Sequence, residues 1–154
     1  MTVVYCGVCP HPPIVVPEVG GDEASLVLDT QEALLELGRR LKKSSVDTVV
    51  IISPHAPIFR EVVGINMSPL LKGDLGSFRA GNVRYMVDND LALAREITKQ
   101  AADLGMTVVE LTETEERQYG ISLRLDHGVV VPLYFLRKAG LETPLVHVSM
   151  ALGE

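Results

Sequence analysis

Apolar positions fall along this chain in two rhythms, continuous short runs and runs spaced by three or four, with proline- and glycine-rich stretches between them. Residues 2–8, "TVVYCGV", form the first continuous run and read as a buried strand that the proline-rich "CPHPPIVVP" at 9–17 brings to an end. Proline lacks a backbone donor and fixes φ, so a regular ladder stops there. From 25 to 43 the rhythm is helical, with Val27, Leu34, Leu37 and Leu41 on one stripe. Arg39, Arg40, Lys42 and Lys43 suit the negative end of that helix's dipole. Residues 47–53, "DTVVIIS", are β-branched and apolar without alternation, the pattern of a central parallel strand buried on both faces.

Two shorter strands are predicted near 62–66 and 82–87, with the glycine-rich "LLKGDLGSFRAG" between them as an exposed excursion. Asp88, Asn89 and Asp90 offer N-caps for a helix carrying Leu93, Ile97, Ala101 and Leu104, stopped by Gly105. Residues 106–111 read as another strand and "TETEERQ" as a charged, solvated connection. After "LDHG", the stretch "VVVPLYFLRKAG" reads as a helix with Pro132 in its first turn and Gly140 as its stop. Pro144 then leads into a final strand, 145–149. Strand and helix alternate throughout, which predicts an α/β fold with a mainly parallel sheet joined by crossover helices.

Parallel sheets hold ligands beyond the carboxyl ends of their strands. "PHPP" follows the first predicted strand and "SPHAP" the second, so His11 and His55 both stand just past a strand end with prolines around them. Their separation of 44 residues matches one strand, one crossover helix and one strand. The prolines stiffen each loop and aim its imidazole.

Length and composition agree with one globular unit: 154 residues with 47% hydrophobic content can bury a real core. A net charge of −6, with the only basic cluster at a helix end, argues against nucleic acid or an anionic membrane as partner. No apolar run approaches the ~20 residues that span a bilayer, and the N-terminus lacks the charged region of a signal peptide, so a cytoplasmic protein is expected. Cys6 and Cys9 form a C-x-x-C in a β-like run with neither a following helix nor a second pair. That favours reduced, structural thiols over a redox or zinc site.

Two neutral imidazoles on rigid loops make half a metal site: with a carboxylate they complete the facial triad of non-heme Fe(II), and Zn(II) is the alternative. The bland alternative is that each histidine bonds a loop carbonyl, and the matched contexts weigh against it. His127, in "LRLDHGVVVPL", sits in a tight loop before a helix, where it can donate a proton or a hydrogen bond to a metal-held ligand, or simply cap the helix. His147, inside the apolar "PLVHVSM", reads as an interior histidine. Glu18 and Glu61 lie near the motifs but have no pattern that marks them as ligands.

"PHPP" after the first strand, "SPHAP" after the second and "LDHGVVVPL" before a helix together resemble the class III, LigB-type extradiol ring-cleavage dioxygenases, a superfamily that includes DOPA-dioxygenase-like and Memo-like proteins. The resemblance runs from the first strand to the last residue. It implies Fe(II)-dependent cleavage of a catechol-type aromatic ring by dioxygen, with His11 and His55 as metal ligands and His127 as the catalytic histidine of a DHG motif. It also implies a carboxylate ligand and a further histidine, in a "GDLSH"-like motif that this sequence lacks. Residues 1–154 are therefore expected to form a single LigB-type domain shortened at its C-terminal side, with activity incomplete in this chain. An open sheet edge would then be buried in a homo-oligomer or by a partner chain. The alternative is a Memo-like binding or scaffold module with a vestigial metal pocket.

Overall fold

The structure, a computed structural model, describes residues 2–152. Its helices are α1 (Pro17–Gly20), α2 (Leu28–Lys43), α3 (Leu91–Asp103), α4 (Glu113–Tyr119) and α5 (His127–Lys138). Its strands are β1 (Val49–Ser53), β2 (Phe59–Arg60), β3 (Val63–Asn66), β4 (Leu70–Leu75), β5 (Ala80–Asp88), β6 (Val108–Leu111), β7 (Leu145–Ser149) and β8 (Ala151–Leu152). The fold is α/β, as the alternation predicts. A four-stranded sheet runs β1-β7-β3-β6, with β1–β7 and β3–β6 parallel and β3 meeting β7 antiparallel through Ile65 and Val148.

Helix α5 is the centre of the molecule. Every residue from 128 to 136 is buried, so this helix is apolar all round, as an interior helix must be. Each fully buried valine among Val129, Val130 and Val131 contributes roughly 1.5–3 kcal/mol of apolar transfer. Its N-terminus is set by Asp126, whose side chain accepts from the Gly128 N–H as an N-cap. Pro132 lies inside the helix and not in its first turn, because the helix starts at His127. On one side α2 crosses it so closely that a Cβ on Gly38 would meet Ala139 Cβ at 2.6 Å. On another, the β4–β5 hairpin lies against it, and a Cβ on Gly73 would meet the Leu125 carbonyl oxygen at 2.5 Å.

Four elements differ from the sequence expectation. Residues 2–8 form no strand: they lie exposed, Val8 at 99%, and no described sheet edge pairs with them. Strand β1 is not central but at the sheet edge, with Ile52 62% exposed, while β7 lies between β1 and β3 and is buried at all five positions. The lack of alternation in "VVIIS" reports β propensity, which an edge strand shares with a central one. The glycine-rich stretch 70–81 is not an excursion but supplies β4, the turn and the start of β5, a twisted antiparallel hairpin. Residues 113–119 are a helix, closed by a capping box in which Thr112 N–H donates to Glu115 Oε2 at 3.0 Å and Thr114 N–H donates to Thr112 Oγ1 at 3.1 Å. Helix α3 starts from Asp90 and stops at Gly105, φ +81°, as predicted, but Leu104 is 81% exposed and Ala94 takes the buried place on its inner stripe.

Candidate metal centre

Three loops converge beside the C-terminal end of β1. His11 arrives from the irregular N-terminal segment, held between Pro10 and Pro12 and followed by a 3₁₀ turn at Pro13–Val15. His55 stands two residues beyond the last residue of β1, and His127 is the first residue of α5. His11 Nε2 and His55 Nε2 lie 3.0 Å apart. The His55 and His127 rings stack at 4.1 Å between centroids, tilted by 29°. One ring nitrogen from each of the three lies within 4.8 Å of the other two.

The packing behind the imidazoles explains why they meet. Ser53, fully buried at the end of β1, donates through Oγ to Asp126 Oδ1 at 2.7 Å and accepts from the His55 N–H at 3.2 Å. The Gly128 N–H donates to the same Asp126 oxygen at 2.6 Å. One carboxylate oxygen thus ties the His55 loop to the start of the helix that carries His127. Gly128 permits this approach, because a Cβ there would stand 2.5 Å from Ser53 Oγ and 3.2 Å from His55 Cδ2. The second Asp126 oxygen faces His147 Nε2, on β7, at 3.5 Å. His147 is interior, 3% exposed on β7, as its apolar context predicts, and neither of its nitrogens has a hydrogen-bond partner.

His127 and the Asp126 carboxyl behind it are shifted by different surroundings. Burial, and then the neighbouring His55, lower the His127 pKa below the usual imidazole value, which favours the form with a free lone pair. Burial pushes the Asp126 carboxyl up, but His147, the Ser53 hydroxyl and the Gly128 N–H outweigh it and hold the pKa below the ordinary aspartate value. Cys9 lines the cleft with Val8, Pro10 and Pro12, and burial raises its thiol pKa, so it remains a protonated thiol. Cys6 and Cys9 are both free.

The donor set fits a metal ion. His11 Nδ1 lies 3.4 Å from the Cys9 carbonyl oxygen, an arrangement in which Nδ1 carries the proton and Nε2 the lone pair. Two nitrogens bound to one ion at ~2.1 Å and at a right angle would stand about 3 Å apart, the spacing that His11 and His55 already have. Among the described residues no Asp or Glu joins the three imidazoles. Glu18 instead accepts a hydrogen bond from Tyr134 Oη at 2.8 Å, and Glu61 is exposed in a left-handed turn, φ +57°.

The sequence reading missed Ser53 and Phe78. Phe78, at the turn of the β4–β5 hairpin, packs against the His127 ring at 5.2 Å between centroids, 66° from coplanar. The signal for Ser53 was the polar residue closing an otherwise apolar strand. For Phe78 only the hairpin itself, once recognised, brings the residue to the site.

A mainly parallel α/β sheet with an imidazole cluster beside a strand end, backed by a carboxylate, has the layout of a metal-dependent α/β protein. Comparison with known families makes that specific: a family model described as "Catalytic LigB subunit of aromatic ring-opening dioxygenase" matches residues 5–153, and the chain belongs to this LigB family. "Protein CA_C1420" from Clostridium acetobutylicum is similar at 32% identity over 146 residues, covering 92% of this chain and 30% of that protein. The chain thus spans about a third of that relative's length. Among the described residues no helix is long and apolar enough to cross a membrane.

Proposed function

We propose that this chain carries the metal-binding part of an Fe(II)-dependent extradiol dioxygenase acting on a catechol-type aromatic ring with dioxygen. The observation that carries the reading is the 3.0 Å approach of His11 Nε2 to His55 Nε2 on proline-stiffened loops. His11 and His55 hold the ion. When bound, it supplies a Lewis-acid centre that makes a catechol hydroxyl more acidic and brings the two reactants together. His127, whose ring nitrogen lies with those of the other two imidazoles, is the residue placed to take the proton released by the ligand. Phe78 stands beside His127 and offers an aromatic edge to a planar ligand. Ser53 and Asp126 keep the two loops in register.

The alternative, a Memo-like binding module with a vestigial pocket, draws on one observation: no carboxylate among the described residues completes the metal face. The two readings separate in one experiment. The chain is loaded anaerobically with Fe(II), mixed with catechol, and exposed to oxygen while visible absorption and oxygen uptake are followed. The dioxygenase reading expects catechol to bind only the Fe(II)-loaded chain, with little or no ring opening by this chain alone and with binding lost in His55→Ala. Catechol binding indifferent to Fe(II) and to His55→Ala contradicts it. Metal binding without any catechol binding favours the binding module.

A further inference from the structure

We infer that His147 is a positioning residue of the metal centre: from the middle of β7 it donates a hydrogen bond to Asp126, the carboxylate that joins the His55 loop to the start of α5. This rests on the metal reading above and deepens it, since that reading holds Asp126 at one oxygen only. Strand geometry is the first support. Successive residues of a strand point to opposite faces of its sheet. Val146 and Val148 pack with Ala94 of α3, so His147 points to the other face, where it meets the N-cap of α5. Ile51, its partner in register on β1, packs against the cluster built on α5.

The second support is a pair of unpartnered atoms that face each other. Among the described residues, Asp126 Oδ2, both His147 nitrogens and Asn89 Oδ1 are buried side-chain atoms without a hydrogen-bond partner. Buried polar side chains nearly always have one. His147 Nε2 stands 3.5 Å from Asp126 Oδ2. A good N–H···O bond measures roughly 2.7–3.2 Å, so a shift of about half an ångström closes it. With its proton on Nε2 the ring gains a partner and with it on Nδ1 it gains none, so Asp126 selects the tautomer. His147 is 3% exposed and the Asp126 Oδ2 atom is buried, which makes the pair internal to this chain.

The third support is what Asp126 carries. Its Oδ1 accepts from the Gly128 N–H, one residue after His127, and from Ser53 Oγ, which in turn accepts from the His55 N–H. A carboxylate held at one oxygen still turns about its Cβ–Cγ bond, a torsion with a broad minimum. Held at both, it lies in one plane, and the two loops are fixed with it. His147 stands outside the imidazole cluster and acts on it through Asp126, as a group that orients ligands from behind.

Co(II) is the probe for the test. Its affinity is measured by competition with a chelator for the chain, His147→Leu and His147→Gln, at a temperature where each is folded by circular dichroism. Leucine fills the space without a donor, whereas glutamine places an N–H close to the position of Nε2. The expected result is that His147→Leu loses about tenfold in affinity, the lower end of the cost of removing a group that orients a ligand, while His147→Gln stays within about threefold. If His147→Leu stays within about twofold of the unsubstituted chain, or if both variants lose equally, the positioning inference falls and the metal reading stands. If the unsubstituted chain does not bind Co(II), both fall. Should neither variant fold, NMR of the metal-free unsubstituted chain carrying isotope-labelled histidine decides the matter: a slowly exchanging N–H on His147 Nε2 supports the inference, and an Nε2 without a proton overturns it.

Discussion

A methyl group at residue 128 would collide with Ser53 Oγ and crowd His55, so Gly128→Ala must push the start of α5 away from the end of β1. Overpacking of this kind costs about 1–3 kcal/mol. The expected outcome is a lower denaturant midpoint together with weaker metal binding, read by denaturant titration and by Co(II) affinity; a variant unchanged in both would show that the approach of the two loops does not build the site. At this scale the imidazoles were legible in the sequence, because a histidine among prolines past an apolar run has a local cause. Ser53 and Asp126 were not, since which oxygen binds which donor is decided by β1 and α5 meeting 73 residues apart in the chain. His147 was legible only as interior; its place behind Asp126 depends on β7 lying beside β1.

Helix α3 shows an element whose start was readable and carries a pH dependence. Asp90 accepts from Thr48 Oγ1 at 2.6 Å and from the Leu93 N–H at 2.9 Å, and these bonds, Thr48 first, hold its pKa below the ordinary aspartate value. A lowered folded-state pKa contributes stability that is present above the unfolded value near ~3.9 and is lost as pH falls through the folded value. Asn caps as well as Asp but does not ionise. The stability advantage of the unsubstituted chain over Asp90→Asn, measured by denaturant titration, should therefore be full at neutral pH and close as pH drops below ~4. A gap independent of pH would contradict this. Helix α4 was equally readable, because "TETE" spells a capping box that its charge density concealed. Thr112→Ala should cost roughly 1 kcal/mol, seen as a lower melting temperature; no change would deny the cap its role. The β4–β5 hairpin was missed for the opposite reason, since its glycines, Gly73 above all, mark close packing against Leu125 and not a solvated loop.

Across the whole molecule the α/β class was legible from alternation, but strand order was not, because the same β-branched run serves an edge or a centre. Strand β1 has no described partner on its outer side and exposes Val50 and Ile52. An open apolar edge of this kind invites pairing, and we propose that it pairs with a second copy. Sedimentation should show concentration-dependent association that Ile52→Lys suppresses, and a monomer at every concentration in both proteins would contradict the proposal. Whether His11 and His55 hold one ion is read from the iron content of the chain after anaerobic loading with Fe(II) and removal of unbound metal. About one ion per chain is expected, lost in both His11→Ala and His55→Ala while each variant keeps its fold by circular dichroism. Iron content that is negligible in the unsubstituted chain, or equal in all three proteins, would contradict it.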